Sequence, residues 1–163
     1  MIRGFISYAH NDHRALEVMC TYLTPLEKMF GINFWRDRDI LAGDRWTSKI
    51  ADAIDEATVH LLLITPYFID SNYIVNKELP AINNKYQNVG DLVIPILLER
   101  CTWKPFVHSL QVVPMNQNGR LLPIDEWKPK KHGFHAACEQ IERSLETFLK
   151  VKPGSFFDWS LKP

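Results

Sequence analysis

The sequence is poor in cysteine and has no excess of charge of either sign. Its 163 residues include three cysteines, Cys20, Cys101 and Cys138. These are too few and too far apart for a disulfide framework, and no two have the Cys-x-x-Cys spacing of a zinc site. We interpret them as buried thiols in a reducing compartment. Basic and acidic residues number 19 each, which disfavours nucleic acid as a partner, because proteins that bind it usually carry a basic excess.

Long apolar runs are also missing. The longest strongly apolar stretch is 92–98 (LVIPILL), far short of the roughly 20 residues of a membrane-spanning helix. Polar and charged side chains interrupt the first fifteen residues, where a signal peptide would need an apolar region; they are Arg3, His10, Asp12, His13 and Arg14. We therefore expect a cytoplasmic protein that does not bind membranes.

Several signatures of nucleotide-binding and catalytic proteins are absent. The sequence has no Gly-rich phosphate loop, no Gly-x-Ser-x-Gly elbow and no metal-spaced histidine cluster, so we expect no metal. A signalling receiver would need an acidic cluster after the first strand, where only Asp12 occurs, and an FMN site would need a glycine- and hydroxyl-rich loop there. With 46% hydrophobic and 23% charged residues, the chain has the composition of one globular domain.

Short apolar runs alternate with amphipathic helices along the chain. Strands are predicted at 2–9, 32–35, 59–65 and 92–98, with a short fifth at 121–124; helices are predicted at 13–30, 50–57, 71–86 and 134–149. The alternation predicts an α/β fold, with a five-stranded parallel sheet in the order 2-1-3-4-5 and helices on both faces. Pro95 lacks a ladder donor, which places its strand near a sheet edge.

Ligands of such sheets bind outside the carboxyl ends of the strands, where the strand order reverses. That point lies between the first and third strands, at the loops 8–11 (YAHN) and 66–69 (PYFI). The second loop leads into the helix that begins near Ser71, so side chains early on this helix face the crevice.

Glu78 stands out on that helix. The predicted core stripe consists of Val75, Leu79, Ile82 and Tyr86. Glu78 lies at the margin of the stripe, about 70° from its centre, where a carboxylate is partly desolvated. On position alone, the simpler interpretation is a solvated glutamate that pairs with Lys85 or with a neighbouring helix.

Four motifs occur in order along the chain: FISYAH at 5–10, WRDRDILAGDRW at 35–46, LLLITPYFIDSNYIVNKELP at 61–80 and IPILL at 94–98. Together they resemble the bacterial branch of the Toll/interleukin-1 receptor (TIR) domains over about residues 2–150. The resemblance implies a flavodoxin-like three-layer sandwich, with a TIR domain over 1–152 and a tail or linker over 153–163. It also implies that the loop at 36–46 shapes both the pocket and self-assembly.

An enzymatic activity follows from the same resemblance. Many TIR domains of this branch cleave NAD⁺ at the nicotinamide glycosidic bond, as a substrate and without a cofactor, and release nicotinamide with ADP-ribose or a cyclised product. Glu78 matches their catalytic glutamate. One carboxylate suffices, because nicotinamide leaves without a proton, whereas a sugar leaving group needs a general acid.

The resemblance extends to the residues around the substrate. It implies that the nucleotide is contacted or bordered by Tyr8, Ala9, His10, Arg38, Gly43 and Trp46. Animal and plant enzymes of the family usually have tryptophan four residues before the glutamate, where this sequence has Ile74. The neighbouring Tyr73 is therefore expected to supply the aromatic surface.

The expected role is an effector or signalling module in bacterial immunity, such as antiviral defence. Expected partners are other TIR domains, in a homo-oligomer or filament that activates the enzyme. A sensor is also expected, fused or separate, because 163 residues leave no room for one. The alternative is a non-catalytic scaffold that mediates TIR–TIR interactions. A third interpretation is another nucleotide-binding protein of this fold, such as a nucleoside deoxyribosyltransferase-like enzyme.

Overall fold

The protein is described by a computed structural model that covers residues 1–36, 43, 45–107 and 109–150. Arg38 and the predicted tail at 153–163 lie outside the described residues. The strands are β1 (Ile2–Ser7), β2 (Ile32–Trp35), β3 (Val59–Ile64) and β4 (Leu92–Leu97). They form a parallel sheet in the order β2-β1-β3-β4. The predicted α/β class and the relative order of the first four strands are therefore confirmed.

Helices cover both faces of this sheet. They are α1 (His13–Phe30), α2 (Trp46–Glu56), α3 (Pro66–Asp70), α4 (Leu79–Asn88), α5 (Lys104–Val107) and α6 (Lys130–Leu149). Short 3₁₀ turns lie at His10–Asp12 and Ile124–Glu126, and a π-helical turn lies at Ile74–Glu78. Among the described residues, none of these helices is both long and apolar enough to cross a membrane.

Alternate strand residues contribute to two separate cores. Ile6 and Leu61 pack with α1 and α6 on one face of the sheet. Phe5 and Leu62 pack on the other face with α2, α3 and α4. Because successive strand side chains point to opposite faces, a strand covered on both faces is buried along its whole length. All six residues of β3 are buried, and five of them are apolar, with His60 as the exception. The result is the expected three-layer arrangement.

The first helix occupies its predicted range, from His13 to Phe30. Gly31 terminates α1 with φ of 65°, in the left-handed region that glycine reaches without strain. Asp12 precedes α1, but its side chain makes no capping hydrogen bond. Its carboxylate instead accepts a hydrogen bond from Thr65 Oγ1 at 2.5 Å. Asp12 thus ties the start of α1 to the end of β3.

The predicted fifth strand at 121–124 is wrong. Leu121 makes one antiparallel bridge, to Met115, and Ile124 already belongs to a 3₁₀ turn. Pro123 interrupts this short apolar run and has no N–H to donate to a ladder. The described sheet accordingly has four strands.

The edge position of β4 is confirmed. Among the described residues, its outer side carries a single bridge, in which Val113 N donates to the Pro95 carbonyl at 3.0 Å and Leu97 N donates to the Val113 carbonyl at 2.8 Å. Pro114 follows and cannot donate, so the ladder stops. The missing N–H of Pro95 falls on this weakly paired side.

Candidate functional site

A cleft of about 180 Å³ opens at the carboxyl ends of β1 and β3. Its walls come from the residues after β1, the first turns of α2, the end of α3 and the π-helical turn. This is the point where the strand order reverses, because β2 and β3 flank β1 on opposite sides. The cleft therefore lies where the sheet order placed the crevice.

Seven of the predicted site residues line this cleft: Tyr8, Ala9, His10, Trp46, Tyr73, Ile74 and Glu78. Gly43 does not line it; this exposed residue has φ of 90°, a left-handed conformation that favours glycine. Arg38 is among the residues that the structure does not describe. The functional roles of all nine residues stay predictions.

The Glu78 carboxylate is buried in the cleft and held by a serine. The residue is 6% exposed, and its Oε1 accepts a hydrogen bond from Ser7 Oγ at 2.9 Å. Ser7 is the last residue of β1 and is itself buried. The simpler interpretation of the sequence paired Glu78 with Lys85. In the structure, Lys85 Nζ lies 3.4 Å from Asp91 Oδ2.

A π-helical turn places Glu78 in this position. The Leu79 N–H donates to the Ile74 carbonyl, five residues back, where an α-helix would bond four back. Pro80 follows directly. It has no N–H for the carbonyl of Asn76, and its ring would crowd that carbonyl in a regular α-helix. The wider turn accommodates the proline, and such turns are frequent at functional sites.

The extra residue in this turn changes which side chains are buried. Ile74, Glu78 and Ile82 are buried, whereas Val75 and Leu79 from the predicted stripe are only partly so. The predicted margin position of Glu78 is therefore wrong. The carboxylate lies on the buried face of the helix and is more desolvated than regular α-helical periodicity indicates.

Aromatic rings form a row along the cleft. The Trp46 and Tyr73 rings lie 4.6 Å apart between centroids, at 45°. The centroid of the His10 ring is 6.2 Å from that of Trp46, and the centroid of the Tyr8 ring is 6.1 Å from that of His10. Burial and the negative charge of Glu78 raise the pKa of the Tyr73 phenol. Tyr73 therefore keeps its proton at neutral pH.

Sequence reasoning missed Ser7 as a site residue. It also missed Trp35, Asp70 and Ser71, which line the cleft. One signal for Ser7 was available, because it lies two residues after Phe5 and so shares the sheet face on which the Glu78 helix packs. A hydroxyl on that face needs a polar partner. Within the described part of the chain, no group of three or more histidine, cysteine or acidic side chains is arranged to hold a metal ion.

The sheet, the helices on both faces and the cleft at the strand reversal define a doubly wound α/β domain. Over residues 5–144 the chain matches the TIR domain family, and it therefore belongs to that family. The chain is 33% identical over 142 residues to the uncharacterized protein y4lF of Sinorhizobium fredii (strain NBRC 101917 / NGR234), covering 86% of this chain and 42% of that protein. The chain thus spans about two fifths of the length of this relative.

Solved structures share the fold at low sequence identity. The TIR domain of the Toll-related receptor TRR-2 from Hydra magnipapillata aligns with a TM-score of 0.55 and 20% identity, covering 86% of this chain and 97% of that domain. A prokaryotic SEFIR domain aligns with a TM-score of 0.52 and 17% identity, covering 100% of this chain and 97% of that one. At such identities the likeness concerns the fold alone.

Proposed function

We propose that this TIR domain cleaves NAD⁺ at the bond between nicotinamide and ribose, with Glu78 as the catalytic carboxylate. The observation that carries the proposal is the burial of Glu78 in a cleft at the strand reversal, with its carboxylate held by Ser7. Burying a charged carboxylate lowers the stability of the folded protein unless hydrogen bonds offset the cost. Such carboxylates cluster at functional sites, so one that lines a cleft is a candidate for catalysis.

The chemistry needs negative charge more than it needs a proton donor. Nicotinamide departs as a neutral ring, and positive charge develops on the ribose. A carboxylate about 4 Å from a unit charge contributes about 1 kcal/mol in water but about 4 kcal/mol at the effective dielectric constant of a protein site. Glu78 stabilises the ribose charge strongly because it is shielded from water.

The aromatic row supplies a surface for the planar groups of the substrate. Trp46 and Tyr73, whose rings are 4.6 Å apart, offer the large apolar faces on which a nicotinamide or adenine ring packs. Tyr8, Ala9 and His10 line the same cleft, and in this proposal they contact the nucleotide. NAD⁺ is the substrate, and the reaction needs no resident cofactor.

The wider role proposed is an effector or signalling module of bacterial immunity, activated through contacts with other TIR domains. The matched segment is 42% of the y4lF protein, so TIR domains of this kind occur within longer chains. This supports a sensor that is fused to the domain or acts as a separate partner.

The test is NAD⁺ turnover by the purified protein, with the products separated by chromatography. Glu78→Gln keeps the size of the side chain and removes its charge, so turnover should fall about 10²- to 10³-fold, the loss typical of one preorganised group. Glu139→Gln is the charge-matched control, because Glu139 is exposed on α6 and its ion pair among the described residues is with His135 of the same helix. It should retain full activity.

Two results would contradict the proposal. Wild-type turnover by Glu78→Gln would show that this residue is not the catalyst. Absence of turnover in wild-type protein that has visibly assembled would favour the non-catalytic scaffold. The chromatogram of an active protein also separates linear from cyclised ADP-ribose.

A further inference from the structure

The hydrogen bond from Ser7 joins an inner strand of the sheet to the π-helical turn. β1 is an inner strand, paired with β2 on one side and with β3 on the other. Ser7 itself is in register with Leu62 of β3. This pairing fixes the backbone position from which the Ser7 hydroxyl donates. The Glu78 carboxylate is therefore oriented from the sheet as well as from its own helix.

This bond also has an electrostatic consequence. A serine hydroxyl that donates to a carboxylate oxygen favours the ionised form of that carboxylate, whereas burial favours the neutral form. In surroundings of low dielectric the donated bond is stronger than in water. Ser7 is 1% exposed and Glu78 is 6% exposed, so water competes little with this pair.

We infer that Ser7 is a positioning residue that keeps the Glu78 carboxylate ionised and fixed in orientation towards the cleft. Ser7 acts on the substrate only through Glu78. Its catalytic consequence rests on the proposed NAD⁺ cleavage, whereas its effect on the ionisation of Glu78 can be measured without any turnover.

Other titratable groups share the cleft and must be separated from Glu78 in the test. Those among the described residues are Tyr8, His10, Tyr67, Asp70 and Tyr73. They come from the loop after β1, from α3 and from the Glu78 helix itself, and the described cleft residues of α2, Trp46 and Ile50, carry no titratable group. A pH profile alone does not distinguish Glu78 from His10 or Asp70, so a direct titration is needed.

The kinetic test compares Ser7→Ala with Ser7→Thr over the pH range of NAD⁺ turnover. Ser7→Ala removes the donor, so we expect turnover to fall about tenfold and the acidic limb of the profile to move up by about one pH unit. Ser7→Thr keeps the hydroxyl, so its turnover and the position of its acidic limb should be close to those of wild type. Thr65→Val is the matched control, since it removes a buried hydroxyl at the end of the adjacent β3. It should lower the melting temperature without moving the limb.

The direct test follows the side-chain carboxyl carbon of Glu78 by ¹³C NMR during a pH titration, with Glu78→Gln identifying the signal. In Ser7→Ala the titration midpoint should rise by about one pH unit. An unmoved midpoint would overturn the inference, even if activity falls. If Ser7→Ala does not fold, Ser7→Cys, of similar size but a weaker donor, takes its place under the same criterion. If wild-type protein fails to cleave NAD⁺, the proposed function fails, while the midpoint still decides the role of Ser7.

Discussion

His60 is a fully buried histidine of β3 whose ring, among the described residues, has a hydrogen-bond partner on one side only. Its Nε2 lies 2.8 Å from Asp91 Oδ2, while Nδ1 has no hydrogen-bond partner within the part of the chain that the structure describes. Lys85 also approaches this carboxylate, at 3.4 Å. Burial lowers the pKa of His60 and outweighs the opposing effect of Asp91. The ring is therefore neutral in the folded protein at neutral pH.

We expect His60 to make the domain less stable in acid. The pKa of His60 in the folded protein lies below the unfolded value of about 6.5. Its contribution to the free energy of unfolding is complete above that pH and is lost as the pH falls towards the folded pKa, by at most about 1.4 kcal/mol per pH unit. Melting temperatures between pH 8 and 5 should fall more steeply for wild type than for His60→Gln, which keeps a donor for Asp91 but cannot titrate. If the melting temperatures of wild type and His60→Gln fall equally steeply with decreasing pH, the prediction is wrong.

The two halves of the Ser7–Glu78 pair differed in how far the sequence could reveal them. Glu78 could be singled out because it stands beside an apolar stripe on a helix that starts at the crevice. Ser7 could be placed only on the sheet face that it shares with Phe5, since a serine at a strand end fits many roles and its partner lies 71 positions away. Long-range side-chain bonds leave no periodic signal in a sequence.

At the level of elements, the junction between the π-helical turn and α4 controls the direction of Glu78. Pro80→Ala would restore an N–H that can bond the Asn76 carbonyl, and alanine is intrinsically the better helix former by about 3 kcal/mol in a helix interior. The turn can then revert to α-helical register and rotate Glu78 away from Ser7. We expect turnover to fall at least tenfold while the melting temperature holds or rises.

Pro66→Ala provides the control for this prediction. Pro66 is at the first position of α3, where its missing N–H would have no intrahelical partner in any case. This variant should therefore change turnover and melting temperature little. Wild-type turnover in Pro80→Ala would show that the π-helical turn is not needed to direct Glu78.

Regular elements could be predicted because their signals are local. The apolar run of β3 and the three-and-four periodicity of α1 are carried by consecutive residues, and both elements form close to their predicted bounds. At the predicted fifth strand and at the π-helical turn, a proline opposes the structure that the surrounding residues favour. Residues 121–124 are apolar, but Pro123 limits their pairing, and a single proline at position 80 shifts the register of its helix.

At the level of the whole molecule, the cleft is small for the proposed substrate. The described part measures about 180 Å³, below the roughly 300–1,000 Å³ of sites that enclose a drug-sized ligand. Trp46 on its rim is 38% exposed. The adjoining sequence alternates charges around Ile40 and Leu41, a composition suited to a complementary patch between subunits.

We therefore expect turnover per molecule to rise with protein concentration. If the competent state is rare in the monomer and is stabilised by a neighbouring subunit, assembly shifts the population towards it. The measurement is NAD⁺ turnover across the concentrations at which light scattering reports assembly, followed by dilution to test reversal. A constant specific activity from monomer to oligomer would contradict the prediction.

The separation of Ser7 and Glu78 by 71 residues also bears on how the domain is made. The two side chains meet only after β1 lies beside β3 and the following helix has docked, and such non-local contacts form late because closing the intervening chain costs entropy. A chain still emerging from the ribosome has no complete site until residue 78 is available to fold. Under the proposed function, the order of synthesis itself delays NAD⁺ consumption until at least the first 78 residues have been made and have folded, without a dedicated inhibitor.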